Sequence, residues 1–294
     1  MRSDLTDLTD GDLATALAES AARHLVALRQ DRFGSATNVD AASAKALGAE
    51  ADRTANEIIV SALRSLRPSD SILSEESTDD LARLDANRVW IVDPLDGTRE
   101  YGDPGSTEWA VHIALWQRHP APPSPLPSPA VESVDPPLES PSPSGTLILG
   151  VVGLPALGLV LRSDQPLASY KRDKPGAGQD PSRVRFVRSA SRPQLVAEHV
   201  AILLDGELKP MGSAGVKAMA VVRGEADVYI HTGGQWEWDS AAPVAVAQAH
   251  GLFVARVDGS PMRYNQRDPY LPDLVICRSD LADQVMTALS QTLG

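Results

Sequence analysis

The run Val89-Trp90-Ile91-Val92 leads directly into Asp93-Pro94-Leu95-Asp96-Gly97-Thr98-Arg99-Glu100, and this junction constrains the fold more than any other part of the chain. The first four residues are β-branched or aromatic and follow a polar stretch, so they read as a buried strand. Asp93 is expected to end it. Pro94 fixes its own φ and holds Asp93 extended, while Gly97 lets the backbone fold sharply back. The product is a stiff turn that carries two carboxylates, with the Leu95 carbonyl turned inward between them. Hard oxygen ligands at a fixed separation suit Mg²⁺. Thr98 adds a hydroxyl beside them. An Asp-x-x-Asp on its own has an ordinary alternative, because Asp-Pro and Asp-Gly pairs also make plain turns.

Two further acidic positions favour the metal reading. Leu73-Ser74-Glu75-Glu76-Ser77 follows a helix-like segment and the short apolar step Ser71-Ile72-Leu73, and Gly233-Gly234-Gln235-Trp236-Glu237-Trp238-Asp239-Ser240-Ala241-Ala242 brings a third acid to the start of a helix. In order and spacing, Glu-Glu-Ser, Asp-Pro-Leu-Asp-Gly-Thr and Trp-Asp-x-Ala-Ala resemble the inositol monophosphatase superfamily of Mg²⁺-dependent, lithium-sensitive phosphatases over nearly the whole chain. Arg99-Glu100-Tyr101 after the Gly-Thr, the stretch from Gly233 to Ala242, and Asp258-Gly259-Ser260-Pro261 running into Tyr264-Asn265 are similar to the CysQ-type branch. That branch removes the 3′-phosphate of adenosine 3′,5′-bisphosphate, whereas inositol phosphatases more often carry Thr-Asn-Phe after the Gly-Thr.

Carried over by position, the resemblance implies that Glu75, Asp93 and the Leu95 carbonyl hold one Mg²⁺, and that Asp93, Asp96 and Asp239 hold a second, with Asp93 bridging. It also implies that Asp52 works with Thr98 to orient the attacking water near a third, looser metal, and that Glu75, Leu95, Asp96, Gly97, Thr98 and Asp239 meet the substrate. The family usually shows a Val-Thr pair before that acid, where this chain has Leu47-Gly48-Ala49-Glu50, so Glu50 competes with Asp52 for the role.

Charge arithmetic supports metals independently. Asp52, Glu75, Asp93, Asp96 and Asp239 around one site repel one another or take up protons. A phosphomonoester brings roughly two more negative charges, and about two or three Mg²⁺ ions offset them while activating water and stabilising the leaving oxygen. No phosphoenzyme is expected, since no nucleophile has a paired base and the one cysteine, Cys277, sits in an apolar strand-like run. On the substrate side, Met211-Gly212-Ser213-Ala214-Gly215 opens an amphipathic segment from Val216 to Arg223. Gly212, Ser213 and Lys217 are the expected contacts, through backbone N–H groups at a helix N-terminus; the same residues also serve as an ordinary cap. Asp239 has a similar second reading, as N-cap of a helix from Ser240 to His250 closed by Gly251. His24, His112, His119, His231 and His250 lack zinc-site spacing, and His24 and His112 read as core or helix-face residues. Trp236 and Trp238 either pack under the site or stack on a base, with packing favoured.

The chain has 294 residues with 43% hydrophobic content, enough for one large domain or two fused subdomains. A formal net charge of −12 argues against a nucleic-acid or membrane-surface partner, so the anionic substrate must be attracted by local metals. No apolar run reaches membrane length, and Met1 to Asp12 is short, polar and acidic rather than a secretory signal. With one cysteine, a reducing cytoplasm is the expectation.

Periodicity predicts helices over Asp12 to Arg29, about Asp52 to Leu66 and Pro193 to Leu203, from Gly215, from Ser240, and over Asp280 to Leu293. Strands are expected around Trp90, over Trp109 to Trp116 and Thr146 to Pro155, then at Val184–Val187, Asp227–Ile230 and Leu274–Cys277. Periodicity alone gives α/β; the resemblance implies a layered αβαβα sandwich like that of inositol monophosphatase and fructose-1,6-bisphosphatase. A subdomain boundary is placed within Asp173 to Ser182, dividing 1–180, which carries the metal turn, from 181–294, which completes the active site. Pro120 to Pro143 holds ten prolines in 24 residues and is expected to be a loop, the span 119–144, joining two strands. A proline-recognising partner for it is a minor alternative.

The function expected is Mg²⁺-dependent hydrolysis of adenosine 3′,5′-bisphosphate to AMP and phosphate, extending to its sulfated precursor. The alternatives are an inositol-1-phosphatase, a fructose-1,6-bisphosphatase, or a non-catalytic metal- or nucleotide-binding regulator. The partner is a small phosphorylated nucleotide, without nucleic acid or membrane, and a homodimer is left open.

Overall fold

The computed structural model describes residues 7–120, 143–166, 183–192 and 194–294. The proline-rich span and the expected subdomain boundary at Asp173 to Ser182 both lie essentially outside the described residues. In chain order the elements are α1 (Asp10–Phe33), α2 (Ala41–Leu66), β1 (Ser71–Ser74), β2 (Arg88–Asp96), α3 (Thr98–Tyr101), β3 (Ala110–Arg118), β4 (Gly145–Leu154), β5 (Leu159–Arg162), β6 (Arg185–Ser189), α4 (Leu195–Leu203), β7 (Glu207–Met211), α5 (Ala214–Val222), β8 (Val228–Trp236), α6 (Glu237–Ala249), β9 (Phe253–Ala255), β10 (Tyr270–Cys277) and α7 (Ala282–Leu293).

Two five-stranded sheets form, ordered β1-β2-β3-β4-β5 and β7-β6-β8-β10-β9. In the first, β1 runs parallel to β2 and the other pairs are antiparallel. In the second, β6 is parallel to both β7 and β8, whereas β10 is antiparallel to β8 and β9.

The alternation of strand side chains generates the layers. In β2, Trp90 and Val92 pack with Leu13, Leu25, Ile59 and Leu63 of α1 and α2. Val89 and Ile91, one position out of phase, pack with Met219 and Val222 of α5, Val246 of α6, and Tyr229 and Ile276 of the second sheet. The far face of that sheet, with Val228, Ile230 and Val275, packs on Ala197 and Val200 of α4 and Val285 and Leu289 of α7. Both faces of β2 are therefore covered, which is why its sequence is apolar at consecutive positions. The succession is α1/α2, sheet, α5/α6, sheet, α4/α7, the expected five-layer αβαβα sandwich.

Several element boundaries differ from the sequence reading. β2 does not stop at Asp93: it continues through Pro94 and Leu95 to Asp96, with an irregularity between the Asp93–His112 and Asp96–Ala110 pairs. A strand can absorb a proline, which has no N–H to donate, at such an irregularity. α2 starts at Ala41 with Asp40 as its N-cap, whose carboxylate accepts from the Ala42 and Ser43 N–H groups. Asp52 therefore sits mid-helix and not near the start. α6 starts at Glu237 behind Trp236, so Asp239 is inside the first turn instead of being the cap, and it accepts the Trp236 N–H at 2.6 Å. The predicted helix from Pro193 is observed from Leu195, and the short strands β5, β7 and β9 were not anticipated.

Candidate active site

β2 delivers the first two acids. Asp93 Oδ1 accepts the Leu95 N–H at 3.0 Å, an Asx-type closure that rigidifies the Pro-Leu step. Gly97 then adopts φ 87°, and a side chain there would press on the Glu108 carbonyl at 2.9 Å and on Ser213. The left-handed turn starts α3 and places Thr98 back over the strand end.

α6 brings Asp239 from the other end of the chain. One carboxylate oxygen from each of Asp93, Asp96 and Asp239 lies within 4.8 Å of the others. Glu75, just beyond β1, borders the same cleft. Asp52 approaches from α2, with Oδ2 3.0 Å from Thr98 Oγ1, and the same hydroxyl lies 3.2 Å from the Leu95 carbonyl oxygen. Glu50, the competitor for Asp52's role, points the other way and pairs with Arg32 at 2.7 Å. Two residues apart on a helix are about 200° apart around its axis, so only one of them can face the site.

So many carboxyl groups in one place distort their own chemistry. Burial first, then Glu76 and Asp96, pushes the Asp52 carboxyl up to about 7 despite the Thr98 hydrogen bond. Burial followed by Asp96 raises Asp239 to about 7, and Glu75 rises to about 8 through lost hydration and then Asp52, Asp239 and Asp96. Asp93, fully buried, is pushed well above the usual carboxylate range by burial and then by Glu75. Asp93 Oδ2 and Asp52 Oδ1 are buried without any hydrogen-bond partner. An unpartnered buried oxygen on Asp93, in a group where Asp93, Asp96 and Asp239 lie within one cation's reach, suits a hard divalent cation, which would offset the mutual repulsion that adds to the burial shifts.

Asp96 has a second task. Its carboxylate accepts the Ala214 N–H at 3.1 Å, the Gly215 N–H at 2.6 Å and the Ser213 hydroxyl, so it closes the N-terminus of α5. Ser213 Oγ in turn accepts the Val216 N–H at 3.0 Å, and this exchange holds Ser213 at an unusual φ of 50°. In this structure the amides expected to face an anion have protein partners: Asp96 accepts those of Ala214 and Gly215, Ser213 Oγ that of Val216, and the Gly212 N–H donates to Glu108 at 2.7 Å. Lys217 is also redirected. Its buried ammonium donates to the Gly212 and Ser213 carbonyls and lies 5.4 Å from the Tyr229 ring centre, and burial lowers its pKa. It braces the turn from beneath.

These groups border one cleft of about 500 Å³, whose walls include Glu75, Asp96, Gly97, Thr98, Gly212, Ser213, Lys217 and Asp239. The opposite wall holds residues that the sequence did not single out as site residues: Ser189, Ser191, Arg192 and Gln235. Trp236 and His231 also border the cleft. His112 was read as a core residue, and it is fully buried, but its Nε2 stands 3.4 Å from Asp96 Oδ2 while Nδ1 faces the Trp238 carbonyl at 3.2 Å. Only the β2–β3 register, which pairs His112 with Asp93, could have revealed this.

Two sheets in an αβαβα sandwich carry, on the irregular end of a central strand, an acidic cluster that could hold a metal ion, the architecture of a phosphatase. The inositol monophosphatase family model matches residues 10–123 and 143–293, and the protein belongs to that family. The 3′-phosphoadenosine 5′-phosphate phosphatase of Mycobacterium leprae is 45% identical over 284 residues, 94% of this chain and 92% of its own. The 3′(2′),5′-bisphosphate nucleotidase CysQ of Escherichia coli K12 is 29% identical over 227 residues, covering 75% and 80% of the two chains. Among solved structures, inositol monophosphatase II of Staphylococcus aureus superposes with a TM-score of 0.66 at 15% identity, covering 93% of this chain and 92% of that one, a likeness of fold.

Proposed function

We propose that the protein is a Mg²⁺-dependent 3′(2′),5′-bisphosphate nucleotidase that hydrolyses adenosine 3′,5′-bisphosphate to AMP and phosphate. The observation that carries the chemistry is the convergence of Asp93, Asp96 and Asp239, with the orphaned Asp93 oxygen, at the floor of a cleft large enough for a nucleotide. The substrate assignment is supported by the Mycobacterium leprae relative of that name and by Arg99-Glu100-Tyr101.

In this reading Glu75, Asp93, Asp96, Asp239 and the Leu95 carbonyl would hold the ions. When bound, Mg²⁺ lowers the pKa of water and neutralises charge on the transferring phosphoryl group. The chain's own residues do the rest. The Thr98 hydroxyl donates to Asp52 Oδ2, which leaves the Oγ1 lone pairs to accept a hydrogen bond from the attacking water and fix its direction. Asp96, held by the α5 N-terminus, cannot swing away from its ligand position. The bend at Gly97 keeps Thr98 within reach of both Asp52 and the Leu95 carbonyl. Residues 1–180 then supply the ion cage and the water-orienting pair, and 181–294 supply Asp239 and the facing wall.

No helix among the described residues is long and apolar enough to cross a membrane, and a cytoplasmic location accords with the single buried cysteine. The test is phosphate release with Mg²⁺ from adenosine 3′,5′-bisphosphate, inositol-1-phosphate and fructose-1,6-bisphosphate at matched concentrations. A nucleotide preference of about a hundredfold in kcat/KM is expected, worth about 2.7 kcal/mol. A preference for inositol phosphate or the sugar would leave the metal cage standing and overturn the substrate.

A further inference from the structure

Three of the five tryptophans, Trp90, Trp109 and Trp116, are fully buried, but Trp236 is 44% exposed and belongs to none of the apolar core clusters. Single exposed aromatics are common on convex surfaces. This one borders the catalytic cleft, three residues before Asp239, and its own N–H donates to that carboxylate. A large apolar ring in a concave site, here beside Tyr229 and among mostly polar groups, is the usual mark of a ligand contact.

The ring is also rigidly built in. Trp238 stacks against it with centres 5.5 Å apart and planes 11° from parallel. Tyr270, its cross-strand partner in the β8–β10 register, meets it edge-on at 5.7 Å and 78°. Tyr270 fits because position 234 is glycine: with φ 89°, a side chain there would stand 2.6 Å from Tyr270 Cε2 and 2.8 Å from Cζ. Trp238 is the member of this group that packs on the core. Core packing is therefore accounted for without Trp236, and the bracing gives an exposed flat surface a fixed position beside the phosphate site.

We propose that Trp236 is the platform on which the purine base of the substrate stacks, a residue that selects nucleotides over base-free phosphate esters. The proposal rests on the nucleotidase reading above for the identity of the base. The neutral base is suited to this end of the cleft, because the carboxylates that repel any uncompensated anion neither attract nor repel it strongly, while a flat π-face is recognised by stacking whatever its hydrogen-bonding edge.

The experiment uses the full chain with saturating Mg²⁺ and compares wild type with Trp236→Ala and Trp236→Phe. Trp236→Ala raises KM for adenosine 3′,5′-bisphosphate by roughly ten- to a hundredfold, with a much smaller change in kcat, and Trp236→Phe recovers most of the loss. On ribose 3,5-bisphosphate, which lacks the base, the loss is several times smaller. Competitive inhibition by AMP supplies a readout independent of which ester is turned over, and it weakens by a similar factor in the Ala variant. Equal losses on the two esters, or unchanged AMP inhibition, overturn the platform while leaving the nucleotidase reading intact. A wild type that prefers inositol-1-phosphate yet loses AMP inhibition in Trp236→Ala overturns the nucleotidase reading and leaves the platform in place. If the Ala variant does not fold, Trp236→Leu, apolar without a ring, gives the same comparison.

Discussion

Replacing Asp52 by asparagine should destroy catalysis and, with metal removed, make the protein more stable at alkaline pH. Burial holds this carboxyl at about 7 against an ordinary 3.8. Because the folded pKa is raised, the folded state binds a proton more tightly than the unfolded chain. Its stability contribution is therefore complete below about pH 4 and is lost as pH rises through about 7. The gap corresponds to about 4 kcal/mol at ~1.4 kcal/mol per tenfold, and relaxation and water entry bring the effective figure to roughly 2 kcal/mol. Asparagine removes the charge and still offers an oxygen to the Thr98 hydroxyl. In chelator at pH 8.5, Asp52→Asn should therefore resist urea by roughly 2 kcal/mol more than wild type, or about 3 °C in Tm. At pH 5 the two should be nearly equal. Added Mg²⁺ should narrow or reverse the gap, because cations stabilise the charged wild-type cage. An Asn variant that is equally or less stable at pH 8.5 without metal would show that this carboxyl is not strained by its surroundings.

Thr98→Val, which keeps the shape and removes the hydroxyl, is expected to lower kcat by roughly 10²–10³-fold with little change in KM or Tm; single-turnover phosphate release checks it. Asp96→Asn should remove at least about 10³-fold of the turnover, since it strips charge from the cage, while far-UV circular dichroism remains native. Retained turnover would sink the metal mechanism. Arg83 is buried and binds Asp79, Asn265 and the Gln266 carbonyl, so Arg83→Met should cost roughly 3–5 kcal/mol in urea unfolding.

The convergence of Asp93, Asp96 and Asp239 was legible because two short motifs each carry carboxylates at the junction of a strand and a helix. Their surroundings were less so, for reasons that lie in long-range contacts. Nothing local indicates that Asp96 claims the amides of Ala214 and Gly215, 118 and 119 residues away, and a Gly-Ser turn before a helix looks the same whether open or filled. Glu50 and Asp52 could have been separated by helix phase, since Leu47, Ala51, Ala55 and Ile59 mark the buried stripe that Asp52 adjoins. That inference needed α2 to begin at Ala41, and its first turns, Ala41 to Ala46, are mostly small, exposed residues that show no apolar stripe. β7 was missed because it is a half-exposed edge strand containing Lys209 and Pro210, a composition that edges favour and propensity rules penalise. The five layers followed from the resemblance, while the alternation along β2 explains them.

Asp96 and Asp239 are separated by 143 positions in the chain, and the α5 amides that steady Asp96 lie between them. On a ribosome adding roughly 5–20 residues per second, the turn that carries Asp93 and Asp96 emerges about 7–29 seconds before Asp239. During that interval Asp93 and Asp96 lack the third carboxylate, and at first Asp96 also lacks the helix end that fixes it, so the cluster stays incomplete in any chain broken off before α6. Assembly of the three-acid cluster therefore requires synthesis at least as far as Asp239.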